Sequence, residues 1–424
     1  MNRRSFLAGI AALGVAGTLA ACSGQPGQSA GPAATLDPNT EAQLTLFYWD
    51  KSQTPTVEAN IAAFNQKYPK IKVTTSIAAY RDYWTKLRTQ AEGDQLPDVF
   101  WMNGPNIQLY ASNKMLAPIG DLAGVDWAKY PKALVDLYTV GGVRYGVPKD
   151  YDTIACFVNK AIFAKAGVPV PTNGWTWQEH ADAAKKIADS GAGHGVVGPI
   201  VNDGQSTYYN TVFQAGGFVI KEGKSGWDDP KSIAGLQFWA DLIKSGAMPS
   251  IQVMSDTEPI KLFTNGQAGI VWGGSWSVKT IADEMKDSSQ VTVVPLPKGE
   301  KEATVIHGLS YVASAKSKNL AAAKALVQAM TSQQANETEA SKGTAIPAFT
   351  GTQSAWTDQH KDMNLTIFTK SAETIAVPYP VSKNTGAWAD KEGELFPAVF
   401  EGKASASEVG KALAEQMNQL LGKE

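Results

Sequence analysis

Two carboxylates, Asp150 and Asp152, stand two positions apart around Tyr151. On extended backbone, residues two apart share a face, so both can address one ligand. Such a pair could serve as the acid and nucleophile of a glycosidase, or simply accept hydrogen bonds from hydroxyl groups. Other reactive patterns are sparse. The chain has no Gly-x-x-x-x-Gly-Lys-Ser/Thr loop, no His-Glu-x-x-His and no Cys-x-x-Cys. Gly273-Gly274-Ser275-Trp276-Ser277 misses the nucleophile elbow because position 277 is Ser, and it reads as a Gly-rich turn after a strand over Ala268 to Trp272. His180, His194, His307 and His360 show no metal-ligand spacing. Cys156 sits in an apolar run with no basic neighbour and reads as a buried strand thiol. With no base and nucleophile in sight, the expectation is a binding protein, not an enzyme, with no cofactor and no metal.

The elements around these residues alternate between strand and helix. Leu44 to Trp49 reads as a strand, and Thr54 with Pro55 opens a helix whose face carries Val57, Ile61, Phe64 and Tyr68. Pro69 closes it, and a strand begins at Ile71. Tyr83 to Ala91 reads as helix, and Asp98 to Met102 as a buried strand. This β-α-β-α-β order predicts a mainly parallel sheet covered by helices. Thr176 and Glu179 have the spacing of a capping box, as do Ser405 and Glu408.

The N-terminus reads as an address. Arg3 and Arg4 precede an apolar stretch from Phe6 to Ala21, too short for a membrane span, so residues 1–21 read as a signal peptide. Leu19-Ala20-Ala21-Cys22 resembles a lipobox, which implies lipid on Cys22 and cleavage before it. Arg3-Arg4-Ser5-Phe6-Leu7 resembles a twin-arginine export motif. Residues 23–40 are mostly Gly, Pro, Ser, Gln and Ala with no aromatic, which reads as a flexible tether with a reach of roughly 23–25 Å. The whole chain of 424 residues has a formal net charge of −2, with 38 basic and 40 acidic side chains, which argues against a nucleic-acid partner. Two cysteines cannot form a disulfide framework.

Several blocks, in order, resemble the extracellular solute-binding proteins of ABC importers, on the carbohydrate branch that includes maltose-binding protein. They are Phe64 to Val73 (FNQKYPKIKV), Leu96-Pro97-Asp98-Val99-Phe100, Tyr145-Gly146-Val147-Pro148, Phe157-Val158-Asn159-Lys160 and Trp175 to Glu179. Phe263 to Ile270 (FTNGQAGI) then leads into Gly274-Ser275-Trp276, followed by Ala315 to Asn319 and Ile346-Pro347-Ala348. No block is specific alone; their order and spacing are.

The resemblance implies a two-lobed periplasmic-binding-protein fold of type II, each lobe a mainly parallel sheet flanked by helices. It places residues 41–150 plus 271–313 in lobe one and 154–267 plus 318–424 in lobe two. The chain would cross near Asp150–Ile154, Gln267–Trp272 and Ala313–Lys318. It also implies a sugar ligand between the lobes, an ABC permease as partner, attachment to the membrane through the lipid, and a monomer. A pyranose stacks its C–H faces on aromatic rings and presents a rim of hydroxyls. Strand ends carrying both kinds of partner are Trp49-Asp50, Trp101 with Asn103, Asp150-Tyr151-Asp152, Trp272 with Ser275 and Trp276, and His307 with Ser310. Trp388, near Asn384, is a further candidate. The alternatives are a polyol, a peptide, a ferric ion held by Tyr208-Tyr209 (which resembles the tyrosine pair of iron-binding relatives of this fold), or a secreted carbohydrate-active enzyme.

Overall fold

The computed structural model describes residues 36–172, 174–201 and 203–424. Cys22, the leader and residues 23–35 of the expected tether lie outside the described residues. Two sheets organise the chain. The first lobe begins with β1 (Ala42–Tyr48), α1 (Thr54–Lys67), β2 (Ile71–Ile77), α2 (Tyr80–Glu92), β3 (Val99–Asn103), α3 (Gly104–Ser112) and β4 (Gly146–Pro148). The second adds β5 (Ile154–Asn159), α4 (Trp177–Asp189), β6 (His194–Val197), α5 (Tyr208–Gln214), α6 (Pro230–Lys244), β7 (Ala268–Gly274), α7 (Ser277–Glu284) and β8 (Val291–Val294). Later come β9 (Leu309–Ala313), α8 (Leu320–Met330), α9 (Gln333–Lys342), α10 (Thr385–Phe400) and α11 (Ala406–Leu421).

Strand order in the first sheet is β2-β1-β3-β9-β4, and in the second β8-β5-β7-β6. Both sheets are mixed, which corrects the expectation of mainly parallel sheets. β1 pairs in parallel with β2 and β3, but β9 runs antiparallel to β3 and β4. In the second sheet only β7 and β6 are parallel, while β5 runs against β7 and β8. The reason is topological: β9 re-enters its sheet from the other lobe and so arrives from the opposite end. β5 is buried along its full length, as a central strand covered on both faces must be. Cys156 lies within it, and burial pushes its thiol well above the ordinary range, so it stays protonated and inert.

The lobe boundaries also differ from the expectation. No passage occurs near Gln267–Trp272, because β7 pairs with β5 and β6 and remains in the second sheet. β8 pairs with β5, so residues 271–294 belong to the second lobe. The chain returns between β8 and β9 and stays beyond Ala313–Lys318, since α8 packs on β9 and α1, and α9 packs on α1. Residues 320–342 are therefore part of the first lobe. α10 and α11 pack with α6 on the second. These assignments depend on pairings between distant segments, which no local pattern encodes.

Local signals fare differently. Thr176 caps α4 and Ser405 caps α11, each with both halves of the capping box formed. Among the described residues, no helix is long and apolar enough to cross a membrane.

Candidate functional site

Where the sheets face each other, a cleft of about 660 Å³ opens, within the range typical of small-molecule sites. The first lobe contributes Trp49 and Asp50 after β1, Tyr80 at the start of α2, and Asn103 with Pro105 around the start of α3. The crossovers contribute Asp150, Tyr151, Asp152 and His307. The second lobe contributes Asp203 and Gln205 before α5, Tyr208 and Tyr209 within it, Ser275 and Trp276 after β7, and Tyr379 and Glu392.

Tyr80 is 51% exposed and Trp276 43% exposed. Rings of that size are normally buried. No other aromatic side chain among the described residues counts among the exposed large hydrophobic residues, and both face this cleft, one from each lobe. Trp49 is half-buried and braces Tyr80, with ring centroids 5.5 Å apart at a near-perpendicular angle.

The polar groups are held in place by their neighbours. Asn103 donates from Nδ2 to the Tyr80 hydroxyl at 3.2 Å and accepts from Asn106 at 2.8 Å. His307 accepts from the Gly104 backbone N–H at Nε2, 3.1 Å away, and its Nδ1 lies 3.7 Å from Asp152 Oδ2. A side chain at position 104 would press on His307 and Leu137 at 3.1–3.2 Å, so glycine suits this close approach. Asp152 Oδ1 accepts from Gln205 Nε2 at 2.6 Å, which links the crossover to the second lobe. Asp203 accepts from the Ser206 backbone N–H at 2.9 Å and from its hydroxyl at 2.6 Å. Burial pushes the Asp152 and Asp203 carboxyls up, against the opposing pull of these hydrogen bonds. An ionised carboxylate has roughly four lone-pair sites, so these groups retain capacity for ligand hydroxyls.

Four expected ligand residues lie elsewhere. Trp101 is fully buried under Tyr48 and Trp49. Trp272 is 1% exposed and donates its indole N–H to His180 Nε2 at 3.1 Å. Burial drives His180 down to about 3, leaving it neutral and able to accept that bond. Ser310 is wholly buried, with its hydroxyl directed at the Met102 carbonyl 3.5 Å away. Trp388 is buried and donates to Ser382 Oγ at 3.0 Å, while Asn384 turns toward the Leu420 carbonyl at 2.9 Å.

The tyrosine pair is already committed. Tyr208 and Tyr209 donate to Glu392 Oε2 at 3.1 and 2.7 Å, and Trp227 donates to Oε1 at 3.0 Å. Their phenols titrate well above the ordinary range, chiefly through burial and then the Glu392 charge, which opposes the phenolates that iron would need. Among the described residues, no group of three His, Cys, Asp or Glu side chains is placed to hold a metal. Burial lifts Glu392 itself to about 8 despite those three hydrogen bonds. The folded protein thus keeps a proton that the unfolded chain releases above about pH 4.3. Unfolding free energy should then fall as pH rises from about 5 toward 8, by at most about 1.4 kcal/mol per unit from this group. Glu392→Gln should remove that contribution, as urea titrations of both proteins across the window would show.

Two α/β lobes joined by crossovers, with an aromatic and polar cleft between them, define a solute-binding protein. The match to known proteins is specific: residues 50–337 fit the bacterial extracellular solute-binding protein family, and the chain belongs to it. The diacetylchitobiose-binding protein of Streptomyces coelicolor is 26% identical over 328 residues, covering 74% of this chain and 75% of that protein. The galactooligosaccharide-binding protein of Bacillus subtilis is 24% identical over 347 residues, covering 78% and 77%. An ABC substrate-binding protein of Listeria monocytogenes, solved in complex with cycloalternan, superposes with a TM-score of 0.82 at 23% identity, covering 90% of this chain and all of that one.

Proposed function

We propose that this protein captures a saccharide between its lobes and presents it to the membrane subunits of an ABC importer. The observation that carries the reading is the pair of exposed rings, Tyr80 and Trp276, set on opposite lobes of one carboxylate-lined cleft. Rings take the C–H faces of a pyranose, and Asp50, Asp150, Asp152 and Asp203 accept from its hydroxyls. The names of the curated relatives support the same class of ligand. The test is a thermal-shift panel of mono- and oligosaccharides, polyols, peptides and Fe(III). A sugar that binds only the folded state raises the midpoint by mass action. A shift with a peptide or Fe(III) and none with any sugar would overturn the reading.

The Leu19-Ala20-Ala21-Cys22 sequence supports attachment of the chain to the outer face of the cell membrane through lipid on Cys22. Two acyl chains suffice for stable anchoring where one would be marginal. Cys22→Ala should therefore move the protein out of the membrane fraction or leave it unprocessed. Fractionation identical to wild type would contradict the anchor.

A further inference from the structure

We propose that Gly274 is a positioning residue of the cleft: its bare backbone is the seat that holds the Trp276 indole in place as a wall of the site. The inference rests on the saccharide reading and adds to it the group that sets one of the two rings. Gly274 is the last residue of β7, buried and paired with Ile154 of β5. The chain then turns through Ser275 into α7, and Trp276 already has helical backbone angles, φ −62° and ψ −22°. That turn folds the indole back over the strand it has just left. A Cβ at position 274 would overlap Cε3, Cζ3 and Cη2 of the indole, and these are the three atoms nearest to it. The six-membered ring therefore covers the face of Gly274 where a side chain would stand.

Backbone conformation does not call for glycine here. Gly274 is not among the glycines with positive φ, and a strand residue of this kind accepts alanine. The close approach of the ring is what the missing side chain permits. Little else fixes that ring. Trp276 is 43% exposed, and among the described residues it pairs with no other ring. It borders the interlobe cleft and also a separate cavity of about 550 Å³, standing as a partition between them. Open space on both sides gives the indole room to swing, so its orientation depends on the seat beneath it. The neighbouring glycine differs. A Cβ at Gly273 would meet Ser277 Oγ at 3.2 Å and the Phe157 ring at 3.4 and 3.7 Å, contacts that a small shift accommodates.

Gly274→Ala keeps the indole in the chain and takes away its seat. The experiment is a double-variant cycle with Trp276→Ala, read by tryptophan fluorescence without ligand and by calorimetric titration with the sugars of the thermal-shift panel, maltose, galactobiose and diacetylchitobiose among them. Gly274→Ala should lower sugar affinity roughly fivefold or more, as Trp276→Ala does, with an unchanged urea midpoint. Once Trp276 is already Ala, the same change at 274 should cost less than about twofold, because the two residues act as one unit. The emission change caused by Gly274→Ala should likewise vanish when Trp276 is absent, and Gly273→Ala should produce neither effect. Full affinity in Gly274→Ala, or an equal loss with and without Trp276, would overturn the seat, since a merely structural role would act in both backgrounds. If Gly274→Ala does not fold, the double variant should, because it lacks the ring that the new methyl meets; failure of both would also overturn the proposal. If wild type binds no sugar of the panel, the saccharide reading falls, while the fluorescence cycle still decides the seat.

Discussion

Replacing Lys149 with Met should lower the unfolding free energy by about 3–5 kcal/mol, the cost of breaking a buried charge network from one side. The Lys149 side chain is 3% exposed. Its ammonium is paired with Asp150, lies 3.6 Å from Glu339 Oε2, donates to Gln53 Oε1 at 2.8 Å and sits 4.7 Å above the Trp101 ring. Burial alone would drive this ammonium toward neutrality, but the Asp150 and Glu339 charges more than offset it and hold the group above its ordinary value. Met would fill the space and remove the charge, leaving two buried carboxylates facing each other. Either could respond by taking up a proton, so the deficit should shrink as pH falls. Adding Glu339→Gln to the Met variant should recover part of the loss, since one uncompensated charge then goes. Urea unfolding of the single and double variants checks this. A loss below about 1 kcal/mol would mean that the network contributes no more than a surface ion pair. The site would feel the change too, because Asp150 and Gln53 line the cleft and Asp150 Oδ1 accepts from the Leu309 backbone N–H at 2.8 Å.

Trp276→Ala should weaken saccharide binding by about 1–3 kcal/mol, from lost stacking and apolar contact. That is roughly 5- to 150-fold in Kd. Tyr80→Ala should cost about as much. Because both rings are substantially exposed, neither truncation opens a core cavity, and stability should change little. Trp49→Ala would be a poorer probe: Trp49 also packs on Tyr83 and Trp101, so its loss would mix stability with affinity. Calorimetric titration of the two clean variants decides the matter. Unchanged affinity in both would remove the exposed rings from the site.

How much of this was legible in the sequence depended on the range of the signal. The helix starts at Thr176 and Ser405 are local and readable from four residues each. The rule that ligands sit beyond strand ends pointed to Trp49, Asp50, Asn103 and the Asp150 to Asp152 stretch, all of which line the interlobe cleft. It failed at Trp101, which lies inside β3 and points into the core, and at Trp272, whose indole N–H is taken by His180. Tyr80 and Asp203 also follow strands closely, after β2 and β6, so the same rule could have reached them. Glu392 could not have been found that way. It lies within α10, and its partners Tyr208, Tyr209 and Trp227 are 184, 183 and 165 residues away. The lobe assignments of β8 and α8 were hidden for the same reason, being fixed by partners distant in sequence.

If the crossovers bend as hinges, a ligand touching both lobes favours the closed form by the contacts that only closure completes. Saccharide capture between the lobes is tested most directly by a crystal structure of the protein with the saccharide that raises its melting midpoint most. An intact sugar should lie between the lobes, one ring on Trp276 or Tyr80, with hydroxyls donating to Asp150, Asp152 or Asp203. A sugar bound outside this cleft, or a cleaved sugar within it, would rule out saccharide capture between the lobes.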